Sequence, residues 1–319
     1  MKSNIFFEEG VPLSQYGHAM TKKAESKNNY AKIKEVLKSS IEKINKLNIE
    51  DASMKVKMLL SDILGKEKEY LLIHDNEELS QDVLDNFYAK LNRLKDEEPI
   101  QYILNKQEFM GFEFYVDENV LIPQPDTEIL VEEVVDISKK INNNSNELRV
   151  LDMCTGSGAI AISLSKLIEN ASVSASDISD GALNVAKENA IKNSVNIEFY
   201  KSDLFNDISK NVKFDIIVSN PPYIQTEVIK GLSKEVQSEP FIALDTTTVL
   251  KLYSVLRKIN KEENVTIVLI THDIEDIEEL CNRIIIIDAG KKIYDGSLEN
   301  LKEKYGVTRK VTMEVKNLK

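Results

Sequence analysis

The chain has 319 residues, of which 42% are hydrophobic and 29% are charged, and its formal net charge at pH 7 is −12. This length is enough for about two domains, and the acidic charge argues against broad binding to nucleic-acid phosphates. The sequence has no apolar run of the ~18 residues that a membrane-spanning helix needs. It also lacks a signal-peptide core at its N-terminus and has too few cysteines for a disulfide framework, so we expect a cytoplasmic protein.

The N-terminal part of the chain predicts a helical bundle. Residues 1–30 are polar without a clear period, which is typical of a loose tail, whereas residues 31–97 show helical spacing. Asp51 is expected to cap a helix over 52–64, and Ser80 is expected to cap a second helix. Both side chains can accept a hydrogen bond from a free backbone N–H of the first helical turn.

The apolar pattern changes at 98–122. Apolar residues alternate around Gly111, which predicts a hairpin, and we expect this segment to link the bundle to the next domain. Pro123 and Pro125 then interrupt the chain. The spacing over 127–140 predicts a helix.

From residue 148 onward, strand and helix patterns alternate, as in an α/β domain built on a parallel sheet. Each predicted strand is a short apolar run, which is typical of a strand buried on both faces. Ligands bind at the carboxyl ends of the strands in such sheets. The strands are predicted at 148–153, 172–177, 196–200 and 214–219, with a helix at 159–168.

The fourth predicted strand runs into Asn220, Pro221, Pro222 and Tyr223. The prolines cannot donate to a sheet, so they end the strand sharply. Asn220 and the backbone carbonyl of Pro221 offer two acceptors, and Tyr223 offers an aromatic ring. These groups suit a flat amide or amino group, which has two N–H bonds to donate and a face to be covered.

A glycine-containing turn follows the first strand. Gly156 and Gly158 lack a Cβ, so the backbone can approach a ligand closely. No Gly-Lys-Ser/Thr sequence follows, so this is not a phosphate-binding P-loop. A turn that merely joins strand to helix is the alternative interpretation, and Cys154 is expected to pack rather than to act as a nucleophile. The turn comprises Asp152, Met153, Cys154, Thr155, Gly156, Ser157 and Gly158.

Two further strand ends are acidic. Asp177 ends the second strand, where nucleoside-binding α/β proteins carry an acidic residue for the ribose hydroxyls; a solvated strand end is the alternative. Asp203 follows the third strand and precedes Leu204 and Phe205, which suits the amino group and the faces of adenine. Carboxyl ends of parallel strands share one edge of a sheet, so we expect a nucleoside site there, beside Asn220.

Longer segments carry a specific resemblance. Over about 31–245 the chain resembles the release factor glutamine N5-methyltransferases (the HemK/PrmC group), which are class I S-adenosylmethionine-dependent methyltransferases. The tetrapeptide 220–223 also occurs in DNA adenine methyltransferases, whereas Pro-Asp-Thr-Glu at 125–128 is much more specific. Gln124 stands where the family usually has Arg. Other matching segments are Glu-Pro-Ile-Gln-Tyr-Ile at 98–103, Ser-Asp-Leu-Phe at 202–205 and Glu-Pro-Phe-Ile-Ala-Leu-Asp at 239–245.

The resemblance implies a Rossmann-like catalytic domain over 123–245, with S-adenosylmethionine as the cofactor. It also implies that the bundle over 31–97 helps to dock a peptide chain release factor, whose Gly-Gly-Gln loop offers the glutamine. No metal, nucleic acid, membrane or ATP is expected as a partner. The residues implied to hold the cofactor are Asp152, Met153, Cys154, Thr155, Gly156, Gly158, Asp177, Asp203, Leu204 and Asn220. Those implied to hold the glutamine are Asn220, Pro221, Pro222 and Tyr223, with Asn220, Pro221 and Tyr223 as the catalytic set.

The C-terminal part resembles a different family. Residues 246–306 are similar to the C-terminal end of an ABC transporter ATP-binding domain, including its closing hairpin at 284–296. That family's phosphate-binding loop, signature motif and Walker B strand are absent from the sequence, so His272 has no γ-phosphate to serve. We interpret 246–319 as a foreign α/β segment. We expect it to supply a strand to a sheet edge that would otherwise expose unpaired backbone groups.

Two other functions stay open. Adenine N6-methylation of nucleic acid shares the tetrapeptide, but the chain shows neither a basic face nor a target-recognition domain. A non-catalytic fusion remnant is the second alternative, because the C-terminal third is foreign. His18 and His74 have no partnering motif and are expected at the surface.

Overall fold

The structure is a computed structural model that describes residues 31–141, 147–209, 211–221, 246–271, 281–288 and 290–305. The chain divides into two compact units, Met1–Asp96 and Glu97–Lys319. The predicted tail over 1–30 and His18 lie outside the described residues. No helix in the described ranges is both long and apolar enough to cross a membrane.

Four helices build most of the described part of the first unit, and two of them, over 52–64 and after Ser80, were predicted individually from the sequence. Val56, Leu59 and Phe87 are fully buried between them. Their bounds are α1 (Ile33–Asn45), α2 (Ala52–Leu64), α3 (Lys68–Ile73) and α4 (Gln81–Lys95), and a two-residue antiparallel pair joins β1 (Ala31–Lys32) to β2 (Glu78–Leu79).

One of the two predicted helix caps is confirmed. The hydroxyl of Ser80 accepts a hydrogen bond from the backbone N–H of Val83, over 3.5 Å. The cap predicted at Asp51 is wrong. Its φ of 54° is left-handed, and its side chain makes no capping bond. A side-chain cap needs extended backbone at that position, so the acidic residue type alone was not sufficient.

The second unit begins with a short helix and the predicted hairpin. Met110 and Gly111 have φ values of 52° and 74°, which a tight two-residue hairpin turn requires. The segment 98–122, predicted as a link between domains, lies inside this unit. Tyr102 packs in one buried cluster with Val185 of the helix α8 described below. The elements are α5 (Ile100–Leu104), β3 (Gln107–Phe109), β4 (Phe112–Phe114) and α6 (Pro125–Ile141).

A five-stranded parallel sheet forms the core of the second unit, which confirms the predicted class I methyltransferase fold. The strand order is β7-β6-β5-β8-β9. Met153 lies opposite both Ser176 and Ser219, so the carboxyl ends of three neighbouring strands are level. The elements are β5 (Leu148–Met153), α7 (Ala159–Leu167), β6 (Ala171–Asp177), α8 (Asp180–Lys192), β7 (Glu198–Lys201) and β8 (Ile216–Ser219).

The C-terminal segment supplies the fifth strand. In β9, Thr266 pairs with Ile216 and Leu269 pairs with Ser219, in parallel. This pairing confirms the prediction that the segment covers the sheet edge. The elements are α9 (Thr246–Glu263), β9 (Thr266–Leu269), the antiparallel hairpin of β10 (Ile284–Asp288) and β11 (Lys291–Gly296), and α10 (Leu298–Tyr305).

Helices cover both faces of the sheet. Successive residues of a strand point to opposite faces. Val150 is buried in a cluster that includes residues of α6 and α7. Leu151 is buried in a second cluster, with Leu252 and Leu256 of α9. One of the two core layers therefore depends on a helix from the C-terminal segment.

Candidate active site

A buried carboxylate lies at the end of β5. Asp152 is fully buried, and its Oδ2 accepts hydrogen bonds from the Thr155 hydroxyl over 2.5 Å and from the Ala161 N–H over 3.1 Å. Its Oδ1 is buried without a hydrogen-bond partner among the described residues. Desolvation raises the pKa of Asp152 to about 7, although the two hydrogen bonds oppose this shift. This oxygen therefore keeps its capacity to accept a hydrogen bond.

The two glycines of the turn have different roles. Both have positive φ, 54° at Gly156 and 79° at Gly158. A Cβ at Gly156 would meet no atom within 4 Å, so open space lies beside this backbone. A Cβ at Gly158 would lie 3.1 Å from the Cβ of Ala186, so that glycine allows α7 and α8 to pack closely. The space beside Gly156 is where the turn can admit a ligand.

Asp177 joins the end of β6 to this turn. Its Oδ2 accepts from the N–H of Gly156 over 2.9 Å, and its Oδ1 accepts from the N–H of Ser179 over 3.0 Å. Desolvation raises its pKa, and these backbone bonds oppose the shift. Each oxygen keeps a lone pair, so the carboxylate can still accept bonds from vicinal hydroxyls.

The third predicted strand end lies next to β6. The N–H of Ser202 donates to the carbonyl of Asp177 over 3.0 Å, which holds the two strand ends together. Asp203 is exposed, and its neighbour Leu204 has a φ of 54°. Leu204 packs against the core cluster that contains Met153. The structure therefore brings Asp203 and Leu204 to the edge that carries Asp152 and Asp177.

Asn220 follows β8 at the same edge. Its side-chain Nδ2 donates to the hydroxyl Oγ1 of Thr127 over 3.2 Å, although the two residues are 93 positions apart. This bond uses one of the two N–H bonds of the side-chain amide, whose carbonyl oxygen is an acceptor. Pro221 is buried, whereas Pro222 and Tyr223 lie outside the described residues.

Sequence reasoning missed Thr127 as a site residue. It belongs to the Pro-Asp-Thr-Glu segment at 125–128, whose pattern predicts the family but no role for this hydroxyl. The structure places it in the first turn of α6, only 6% exposed. The specificity of that segment was the available signal, but no local pattern links it to Asn220.

Cys154, Gln124 and His74 have structural surroundings that do not point to catalysis. The thiol of Cys154 has a pKa raised to about 12, because it is desolvated and lies near Asp177 and Asp152, so it stays protonated at neutral pH. Gln124 donates to the carbonyl of Ile122 over 3.2 Å within its own loop. His74, in the first unit, is exposed and stacks on Tyr70. In the part of the chain that the structure describes, no cluster of three potential metal ligands occurs.

The comparisons with known proteins place these features in a family. Residues 126–240 match the methyltransferase small domain, and residues 35–104 match the PrmC N-terminal domain. A release factor glutamine methyltransferase of Clostridium acetobutylicum is 40% identical over 219 residues, which cover 67% of this chain and 75% of that protein. The chain belongs to the release factor glutamine methyltransferase family. The predicted family for residues 31–245 is confirmed.

Two other relatives match in part. A release factor glutamine methyltransferase of Flavobacterium psychrophilum is 49% identical over 155 residues, covering 48% of this chain and 54% of that protein. A bifunctional methyltransferase of Rickettsia typhi is 38% identical over 248 residues, covering 72% of this chain and 48% of that protein. The chain thus spans about half the length of these two relatives. Both family-model matches end before residue 246, and the resemblance of the C-terminal segment to an ABC transporter domain stays a prediction.

The site fits the cofactor of this methyltransferase domain, S-adenosylmethionine. This molecule carries ribose hydroxyls, an ammonium group and a sulfonium. The unpartnered oxygen of Asp152 and the carboxylate of Asp177 suit groups that donate hydrogen bonds or carry positive charge. The open space beside Gly156 allows the cofactor to approach the backbone closely. The residues present therefore agree with the cofactor that the family implies.

Proposed function

We propose that this protein methylates N5 of the glutamine side chain in the Gly-Gly-Gln loop of peptide chain release factors. The observation that carries the proposal is the bond from Asn220 to Thr127, which leaves the Asn220 carbonyl oxygen as an acceptor at the cofactor edge. The family supplies the substrate class. The geometry supplies an acceptor of the kind that a carboxamide N–H needs.

The cofactor would be held by the three acidic strand ends and the glycine turn. Asp152 would take the group with positive charge, Asp177 the ribose hydroxyls, and Asp203 with Leu204 the adenine. The cofactor supplies a methyl group on a sulfonium, which is an excellent leaving group. Positioning of the acceptor nitrogen can then provide most of the rate acceleration.

The main chemical obstacle is the weak nucleophilicity of an amide nitrogen, whose lone pair is delocalised into its carbonyl. If the two amide N–H groups donate to Asn220 Oδ1 and to the Pro221 carbonyl, the nitrogen is held with its lone pair toward the methyl group. Such bonds also favour pyramidal nitrogen as the new bond forms. The ring of Tyr223 would cover the face of the carboxamide.

After transfer, the nitrogen carries one proton too many, and this proton leaves to water. Cys154 is not the base, since its raised pKa keeps the thiol protonated and unable to accept a proton. Because the methyl group passes directly from the sulfonium to the nitrogen, the proposed reaction needs no covalent enzyme intermediate.

The N-terminal helical bundle is proposed to dock the release factor, as its match to the PrmC N-terminal domain supports. The substrate acts on the ribosome, so the proposed reaction takes place in the cytoplasm.

The test is methyl transfer from radiolabelled S-adenosylmethionine to a purified release factor. We expect label on the wild-type factor and none on a factor whose Gly-Gly-Gln glutamine is replaced by alanine. Asn220→Ala should lower kcat by ~100-fold or more, because it removes an acceptor that positions the reacting nitrogen. Exposed Lys139→Met is the matched control and should act as wild type.

Two outcomes would overturn the proposal. Transfer to duplex DNA but not to the release factor would assign the chain to adenine N6-methylation. Calorimetry that detects no S-adenosylmethionine binding would assign it to the non-catalytic fusion remnants.

A further inference from the structure

The hairpin of β10 and β11 is hydrogen-bonded to α6 at two places. The N–H of Gly290, in the hairpin turn, donates to Asp126 Oδ1 over 2.7 Å. Arg283, just before β10, donates from Nη2 to Glu133 Oε2 over 3.0 Å. Asp126 and Glu133 are seven residues apart, which is two helical turns, so both lie on one face of α6. The hairpin therefore lies along that face for about 10 Å.

The second place is a four-charge network. Glu133, whose side chain is only 10% exposed, pairs with Arg283 and with Lys292. Asp295 pairs with the same two cations and receives two bonds of 2.7 Å from Arg283. These bonds lower the pKa of Asp295 and raise that of Arg283, so this pair stays ionised at neutral pH. Bidentate arginine pairs hold geometry better than single contacts.

The hydrogen bond between Gly290 and Asp126 lies one residue from Thr127, the partner of Asn220. Asp126 accepts from the hairpin turn, and the next residue, Thr127, accepts from Asn220. The first turn of α6 therefore carries a hydrogen bond to the C-terminal segment and a hydrogen bond to Asn220 on adjacent residues. A shift of this turn would move the partner of the Asn220 amide.

We propose that the C-terminal hairpin positions Asn220 for methyl transfer by holding the first turn of α6. Thr127 is the positioning residue, and Asp126 and Glu133 are the points at which the hairpin holds the helix. The inference rests on the proposed function, because it assigns Asn220 the task of orienting the acceptor amide. Misplacement of such a group by about 1 Å can cost ~100-fold in rate.

The kinetic test separates positioning from substrate binding. Thr127→Val removes the acceptor at nearly constant volume and should lower kcat by about tenfold, equal to ~1.4 kcal/mol, the scale of one hydrogen bond. The KM for S-adenosylmethionine should stay within about twofold of wild type, since the change affects the orientation of Asn220 toward the glutamine and leaves intact the acidic strand ends and glycine turn that are proposed to hold most of the cofactor. Thr127→Ser keeps the hydroxyl and should restore kcat.

The same assay tests the hairpin. Asp126→Ala should lower kcat by about threefold, because it frees the Gly290 N–H, and Asp126→Asn should recover activity through its remaining acceptor oxygen. Lys139→Met is the control on α6, because Lys139 is exposed and, among the described residues, forms its ion pair with Asp136 of the same helix. An equal loss of kcat in the Asp126→Ala and Asp126→Asn variants would overturn the proposal. A rise in the KM for S-adenosylmethionine with unchanged kcat in Thr127→Val would also overturn it.

A second readout does not depend on activity. In protein labelled with ¹⁵N-asparagine, the side-chain amide signal of Asn220 is identified by its loss in Asn220→Ala. We expect Thr127→Val and Asp126→Ala to shift this signal and to speed its hydrogen exchange by about tenfold or more, while Lys139→Met leaves it unchanged. An unmoved signal in both variants overturns the positioning role. If the wild-type protein transfers no methyl group while the two variants still show these shifts, only the proposed function is overturned.

Discussion

Ser219, the last residue of β8, donates from its hydroxyl to the backbone carbonyl of Met153, the last residue of β5, over 2.7 Å. Both residues are 1% exposed. The bond ties the strand that leads to Asn220 to the strand that leads to the glycine turn. The two halves of the candidate site are therefore held in a common position by a buried hydrogen bond.

Loss of this bond should reduce the stability of the fold. We expect Ser219→Ala to lower the free energy of unfolding by about 1–2 kcal/mol, since a buried carbonyl loses a partner. Urea unfolding measures this effect. Ser254→Ala is the control, because its exposed hydroxyl donates to the carbonyl of Lys251 within α9. Similar losses in both variants would show that the strand-end bond has no special role.

The raised pKa of Asp152 predicts that cofactor affinity depends on pH. Below pH about 7 the carboxyl is protonated, so it loses the charge that attracts a cationic group. Affinity for S-adenosylmethionine should therefore fall as the pH drops through 7, and Asp152→Asn should remove most of this dependence. Calorimetry between pH 5.5 and 8.5 checks the prediction. A flat wild-type profile would contradict it.

The same group should affect the stability of the cofactor-free protein in the opposite direction. Its pKa is raised from 3.8 to about 7, so the folded state binds more protons than the unfolded state between these values. This contribution to stability is complete below pH 3.8 and is lost as the pH rises through 7. Asp152→Asn should thus be relatively more stabilising at pH 8 than at pH 5, as thermal unfolding at the two pH values would show. An equal effect at both values would argue against a buried, titrating Asp152.

The two glycines of the turn should respond differently to alanine. Both substitutions place a side chain at positive φ, at a cost of about 1 kcal/mol. Gly158→Ala also brings a Cβ within 3.1 Å of Ala186, so it should destabilise the fold further. Gly156→Ala should leave folding largely intact but weaken S-adenosylmethionine binding about tenfold or more. Unfolding curves and calorimetry together separate these effects, and identical results for both variants would contradict the assignment.

The C-terminal segment should be required for a folded sheet. Leu252 of α9 is fully buried against the sheet, and Leu252→Ala should cost about 2–5 kcal/mol. Lys251→Ala, on the exposed side of the same helix, should cost little. Limited proteolysis gives an independent check. Rapid loss of residues 246–319 from a stable, active remainder would show that the segment is dispensable.

The sequence by itself determined most of the local structure and the family. The alternation around Gly111, the buried strand over 148–153 and the Ser80 cap depend on neighbours within a few residues, so local patterns were sufficient. The motifs at 125–128 and 220–223 predicted the family, which the comparisons confirm, and they predicted a site at one edge of the sheet.

Only the tertiary structure decided which distant groups meet. Thr127 bonds to Asn220 across 93 positions, and Glu133 pairs with Arg283 across 150 positions. Neither contact leaves a periodic trace in the sequence, because it depends on how strands and helices are arranged in space. The left-handed backbone at Asp51 has the same explanation: residue type favours a conformation, but the path of the chain between packed elements selects it.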